Sequence, residues 1–150
     1  MYQNLLVPID GSAASSAGLT QAIELARAVN GRIRLLHVID DVSFSFVMDA
    51  YAGQPGSWLE DLHAEGTRIL ADATAAVSQA GVAVDAILDD RLKSPVHDVV
   101  VSQAASWPAD LIVIGSHGRR GIEYAMLGSS AEKILRKSRV PVLVVRADAS

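Results

Sequence analysis

Residues 111–135, LIVIGSHGRRGIEYAMLGSSAEKIL, join an apolar run to a helical pattern through a glycine-bearing turn. Leu111–Ile114 is too continuously apolar for a strand wet on one face, and buried parallel strands read this way. Beyond it, Leu127, Ala131, Ile134, Leu135 and Ser138 recur at helical spacing. The chain therefore passes from strand to helix. Gly115 and Gly118 allow a sharp turn and close backbone approach without a Cβ in the way. Gly128-Ser129-Ser130 opens the helix, whose first amides have no intrahelical acceptor. Free amides beside hydroxyls make an anion site. The same residues also serve as plain turns and a helix cap, and at this level both readings stay open.

The strand-helix unit recurs on both sides of this stretch. Apolar runs occupy Leu5–Ile9, Ile33–Ile39, Val82–Leu88 and Val140–Val145. Between them fall helical patterns through Leu19, Ala22, Ile23, Ala26 and Val29, through Leu62, Ile69, Ala73, Val77 and Ala80, and through Val96, Val99 and Val100. Asn30-Gly31, Gly81 and Pro108 stand where helices should end, and Ser94-Pro95 is expected as an N-cap followed by proline at the first helical position. Lys133, Arg136, Lys137 and Arg139 gather toward the C-terminus of the last helix, where positive charge suits the macrodipole. Alternating β and α elements predict an α/β fold, an open doubly wound five-stranded parallel sheet with helices on both faces. Such sheets bind ligands beyond the carboxyl ends of their strands, where strand order reverses. Asp40 to Trp58, DDVSFSFVMDAYAGQPGSW, is long for a connection and reads either as a lid or as a surface excursion.

Composition narrows the function. The 150 residues are expected to form one domain, residues 1–150, and half of them are apolar. A net charge of -4 lacks the broad basic surface that nucleic-acid backbones demand. No cysteine is present, which excludes thiolate metal sites and a cysteine nucleophile. No run approaches the ~20 apolar residues of a membrane span, and MYQNLLVPID lacks the basic start of a signal peptide. A cytoplasmic protein without membrane or nucleic-acid partners is expected.

Magnitude bears on the ligand. One helix terminus contributes about 0.3–1 kcal/mol toward an anion, and about 2 when partly buried, whereas micromolar binding requires about 8 kcal/mol. Several amides, the serine hydroxyls and a pocket for the rest of the molecule must therefore act together. A nucleotide uses all of them. Neither a Walker GK[ST] nor a GxGxxG is present, and no lysine stands in the loop.

The spacing Gly115-x2-Gly118-x9-Gly128-Ser129 reproduces the G-x2-G-x9-G-[S/T] signature of nucleotide-binding universal stress proteins. "LLVPIDGSAAS", "LLHVID", "ADLIVIGSHG" and "VPVLVV" extend the resemblance over essentially the whole chain. It implies strand order 3-2-1-4-5 and a site for ATP, with Mg²⁺ or Mn²⁺ on the phosphates. By the same resemblance Pro8, Asp10 and Val38 border adenine and ribose, Val38 through its backbone. Gly115 and Gly118 approach ribose and phosphates, and Gly128, Ser129 and Ser130 hold the phosphate tail. Two departures stand out. The family often has a glycine before a small residue and proline after strand three, where this chain has Asp89-Asp90-Arg91-Leu92-Lys93-Ser94-Pro95. Ala131 replaces a hydroxyl found in some nucleotide-bound members.

Other residues invite a chemical role. Arg119 is taken as a phosphate contact, with Arg120 as its neighbouring alternative. His117 reads as a donor to phosphate or as a solvent-facing loop residue. The four histidines (His37, His63, His97 and His117) show no metal-binding spacing. Asp40-Asp41 and Asp89-Asp90 follow strands, yet no nucleophile-elbow sequence accompanies them. The sequence thus points to an ATP-binding regulatory module in stress response, with at most slow hydrolysis or autophosphorylation. Its rival is an interaction protein of the same fold without a physiological nucleotide. Antiparallel pairing of Val140–Val145 with its mate is expected to form a homodimer.

Overall fold

The computed structural model describes residues 1–40, 58–92, 94–116 and 127–147. In chain order it contains β1 (Asn4–Pro8), α1 (Ala13–Val29), β2 (Arg32–Val38), α2 (Trp58–Gln79), β3 (Ala83–Asp89), α3 (Val96–Ser106), β4 (Leu111–Gly115), α4 (Ser129–Lys137) and β5 (Val142–Val145). The strands form one sheet ordered β3-β2-β1-β4-β5, with every neighbouring pair parallel. The expected doubly wound architecture and strand order are both present.

Side chains alternate across each strand, so the sheet feeds two apolar layers. Leu5, Val7, Ile33, Leu35 and Val113 pack with Ala22 and Ala26 of α1 and with Ile69 and Val77 of α2. On the other face, Leu6, Leu36, Ile112 and Ile114 pack with Val99, Val100 and Ala104 of α3 and with Ala131 and Ile134 of α4. Continuous apolar runs do mark the central strands β1 and β4, whose core residues Leu5, Leu6, Val7, Ile112 and Val113 are fully buried. The outer strands correct that reading. In β3 no residue before Asp89 is buried, and no residue of β5 is fully buried within the chain. An edge strand has a neighbour on one side only and escapes the helices at its margin.

Most boundaries follow the local chemistry. Asn30 ends α1 in the left-handed conformation, φ 56 and ψ 42, which asparagine tolerates better than most residues. Gly81 has φ +80. At α3 the expectation is one residue off: Pro95, not Ser94, occupies the N-cap, with φ -66 and ψ 159, and no side-chain hydrogen bond closes the cap. Proline's fixed φ suits this extended position as well as the first helical one.

Trp107 closes α3 and is 8% exposed. The guanidinium carbons of Arg32 and Arg34 lie 5.2 and 4.8 Å from its ring centroid. Arg34 is itself held by Asp85 through bonds of 2.9 and 2.8 Å. This cluster joins α3 to β2 and β3 at the end of the sheet opposite the strand C-termini. Among the described residues, no helix is long and apolar enough to cross a membrane.

Candidate functional site

The strand order reverses between β1 and β4, because the chain leaves β1 toward β2 and β3 and later returns to place β4 on β1's other side. Helix α1 follows β1 on one face and α4 follows β4 on the other. In this architecture the usual ligand position lies beyond the C-terminal ends of these strands.

On the β1 side, Pro8 is half-buried at the strand end, and the chain turns through Gly11 at φ +83. Asp10 Oδ1 accepts from the Ser12 amide at 2.9 Å, while the Asp10 amide donates to Ser15 Oγ at 3.1 Å. Ser12, not Asp10, caps α1, its Oγ accepting from the Ser15 amide at 3.2 Å. Asp10 thus shapes the turn that precedes the helix, and the cap belongs to another residue.

Val38 ends β2. The Ile9 amide donates to Leu36 O at 2.8 Å and the Ile39 amide donates to Asp89 O at 2.8 Å, so even-numbered residues of β2 direct their backbone groups toward β1. Val38 accordingly turns its amide and carbonyl toward the side where β1 has just ended. This orientation suits a residue acting through its backbone. Beside it, the buried His37 ring meets Ile9 O through Nδ1 at 2.8 Å, and because a carbonyl only accepts, Nδ1 carries the proton. His37 fixes the β1 end against β2, a role that histidine spacing in the sequence did not signal.

Gly115 ends β4, and its glycine has a reason other than the one expected. A Cβ there would lie 2.6 Å from Ala14 C and 2.7 Å from Ala14 O. Gly115 is not among the positive-φ glycines. Helix α1 itself occupies the space a side chain would take, so the close approach is made by the protein's own backbone.

At the start of α4, Gly128 is the N-cap with φ -62 and ψ 154, and Ser129 and Ser130 are the first helical residues. The serines are exposed, above a buried Ala131. They are therefore not the cap. The Gly128 amide is also not free, since it donates to Ser116 O at 2.7 Å. The donors that the helix geometry leaves for a ligand are the amides of Ser129, Ser130 and Ala131. Ser116 is buried and its own amide donates to Val145 O at 2.9 Å.

At the β3 end, Asp89 is buried and bound by Arg91, whose Nη2 donates to Oδ2 at 2.6 Å. These bonds hold the Asp89 carboxyl below the ordinary carboxylate range. The structure thus brings Pro8, Asp10, Val38, Gly115, Gly128, Ser129 and Ser130 to the C-terminal end of the sheet. Gly118 and Arg119, with His117 and Arg120, lie outside the described residues, as do Asp41 and most of the long segment before α2. Among the described residues, no group of three or more His, Cys, Asp or Glu is placed to hold a metal ion.

An open doubly wound sheet with a glycine-serine helix start at its switch point defines a class of small α/β proteins. The family model for the universal stress protein family matches residues 1–146, and the chain belongs to that family. It is similar to the universal stress protein YxiE of Bacillus subtilis, 30% identical over 97% of this chain and 100% of that protein. A universal stress protein family structure from Burkholderia pseudomallei superposes with a TM-score of 0.76 at 31% identity, covering 96% of each chain. Two more distant structures, each 24% identical, share the fold: one in complex with cAMP, with TM-score 0.65 and 98% of each chain covered, and one from Archaeoglobus fulgidus in complex with dAMP, with TM-score 0.68 and coverage of 96% of this chain and 98% of that one.

Proposed function

We propose that the chain binds ATP beyond the C-terminal ends of β1, β2 and β4 and acts as a small nucleotide-dependent regulatory module of the stress response. The observation that carries this reading is the start of α4 at the switch point, where Ser129 and Ser130 are exposed and Gly128 occupies the cap without a side-chain hydrogen bond. Relatives solved with cAMP and dAMP support an adenine nucleotide as the ligand class. In this reading Val38 meets the base through its backbone, and Pro8 and Asp10 border base and ribose. Gly115 and Gly118 line the path to the phosphates, and Arg119, Gly128, Ser129 and Ser130 meet the phosphate tail. Mg²⁺ or Mn²⁺ rides on the phosphates.

The module is a binder before it is a catalyst. Phosphoryl transfer relies on positioned charge, and the loop from Gly115 to Gly128 contains no lysine. Calorimetric titration of nucleotide-stripped protein with ATP and Mg²⁺ is expected to saturate near one nucleotide per chain. Heat without saturation, or no heat, would instead favour an interaction protein that keeps the loop as scaffold.

The same reading includes a homodimer through the Val140–Val145 segment. The Ile112 amide donates to Pro141 O and the Ser116 amide to Val145 O, so odd-numbered residues of β5 face β4, while Val142 and Val144 direct their backbone groups away from β4, on the side where the sheet of described residues ends. Leu143, 38% exposed, adds an apolar contact. Val144→Pro removes one outward donor but leaves the ladder to β4 intact. Sedimentation is expected to show a monomer for this variant and a dimer for the parent; a persisting dimer would exclude this edge as the interface.

A further inference from the structure

The Asp89–Arg91 pair stands at the C-terminal end of β3. Asp89 pairs in register with Val38. It shares a sheet face with Asp85, which meets Arg34, and with Ile87, which packs beside Leu36 and Val38. The Asp89 side chain is 6% exposed and that of Arg91 67%. Arg91 Nη2 bonds Oδ2 at 2.6 Å, Nε reaches Oδ2 at 3.2 Å and Oδ1 at 3.4 Å, and the Arg91 amide donates to Oδ1 at 3.2 Å.

Ion pairs between two mobile surface chains hold little. Here the carboxylate is fixed by burial and by a backbone amide, so the pair orients the guanidinium. The next residue, Leu92, is held at φ 59, a left-handed conformation unfavourable to residues with a Cβ and found preferentially where a local geometry is enforced. Asp89 takes the Nε–Nη2 edge of the fork. The Arg91 side chain remains largely exposed at the strand ends, one strand over from the side toward which Val38 turns its backbone groups.

We propose that Arg91, anchored by Asp89, lies against the base of the bound nucleotide and is a specificity-determining residue favouring purines. This rests on the nucleotide-binding reading above. A planar, weakly hydrated guanidinium stacks on aromatic faces in a way that a lysine ammonium does not, and a bicyclic base offers it a larger face than a pyrimidine. Burial of the anchor fixes that plane before the ligand arrives, so little ordering remains to be done on binding.

Calorimetric titration of ATP and of CTP, each with Mg²⁺, into the parent protein, Arg91→Ala, Arg91→Lys and Asp89→Asn tests this. The parent is expected to prefer ATP. Arg91→Ala is expected to weaken ATP about tenfold and CTP much less, in line with a partly desolvated cation–π contact, so that the preference collapses. Arg91→Lys should resemble Arg91→Ala, because charge without the plane is not enough, and Asp89→Asn should lie between parent and Arg91→Ala. A merely structural loop role would weaken both nucleotides alike. Parallel losses, or unchanged ATP affinity in Arg91→Ala, would overturn the proposal. A parent that takes up neither nucleotide refutes the nucleotide reading itself, whereas a parent that binds and an indifferent Arg91→Ala refutes only the role of Arg91.

Discussion

Gly115→Ala is expected to destabilise the fold by about 3 kcal/mol, near the upper end for overpacking, or roughly 10 °C in melting temperature for a chain of this size. The added Cβ would meet not a side chain that rotates aside but the carbonyl carbon and oxygen of Ala14 at 2.6 and 2.7 Å. Relief requires α1 to move off β4. That shift would also carry the Asp10 turn with it, since Asp10, Ser12 and Ser15 are hydrogen-bonded into the start of the helix. Removing the Ala14 methyl in a Gly115→Ala/Ala14→Gly pair relieves only the contact at 2.9 Å and should restore little. Urea denaturation of the single and paired variants measures this, and an alanine at 115 as stable as glycine would refute the packing account.

Trp107→Ala is expected to cost about 4 kcal/mol, as for other buried aromatics truncated to alanine. Two elements lose contacts at once: α3 loses its closing residue, and Arg32 and Arg34 of β2 lose the ring face at 5.2 and 4.8 Å. Arg34 keeps Asp85, so the ion pair survives while the apolar layer beneath it opens. Trp107→Phe keeps a ring and should cost a minor share of this. Equal losses for both substitutions in urea denaturation would show that ring stacking contributes nothing there. Nucleotide affinity of the site proposed at the opposite end of the sheet should be nearly unchanged in folded Trp107→Phe.

The alternating organisation was legible because period and turn chemistry are local: Asn30, Gly81 and the continuous runs of β1 and β4 speak for themselves within a few residues. The strand order came through family resemblance, since no local pattern says which strands pair. Burial at the edges was misread because apolar composition does not reveal whether a strand has neighbours on both sides. Gly115 is expected from the sequence as a site position that serves a turn and a ligand, and the constraint the structure adds comes from Ala14, about a hundred residues earlier in the chain. The Gly128 amide looked free for the same reason: its acceptor, Ser116, is well separated from it in sequence. Asp89 and Arg91 were visible as a departure from the family pattern, but two residues apart in sequence do not announce that one will be buried and the other displayed.

Ser116 has both backbone groups committed, its amide to the end of β5 and its carbonyl to the cap of α4. One peptide unit on each side of this residue therefore connects the helix start to the outermost described strand of the sheet. If nucleotide contact displaces that helix start, the strain reaches the edge through two hydrogen bonds and no intervening side chain. Thermodynamic linkage then sets a symmetric rule: whatever factor nucleotide applies to the self-association constant per site, self-association applies to nucleotide affinity. Protein concentration would accordingly act as an effector of ligand affinity, and ligand concentration as an effector of assembly.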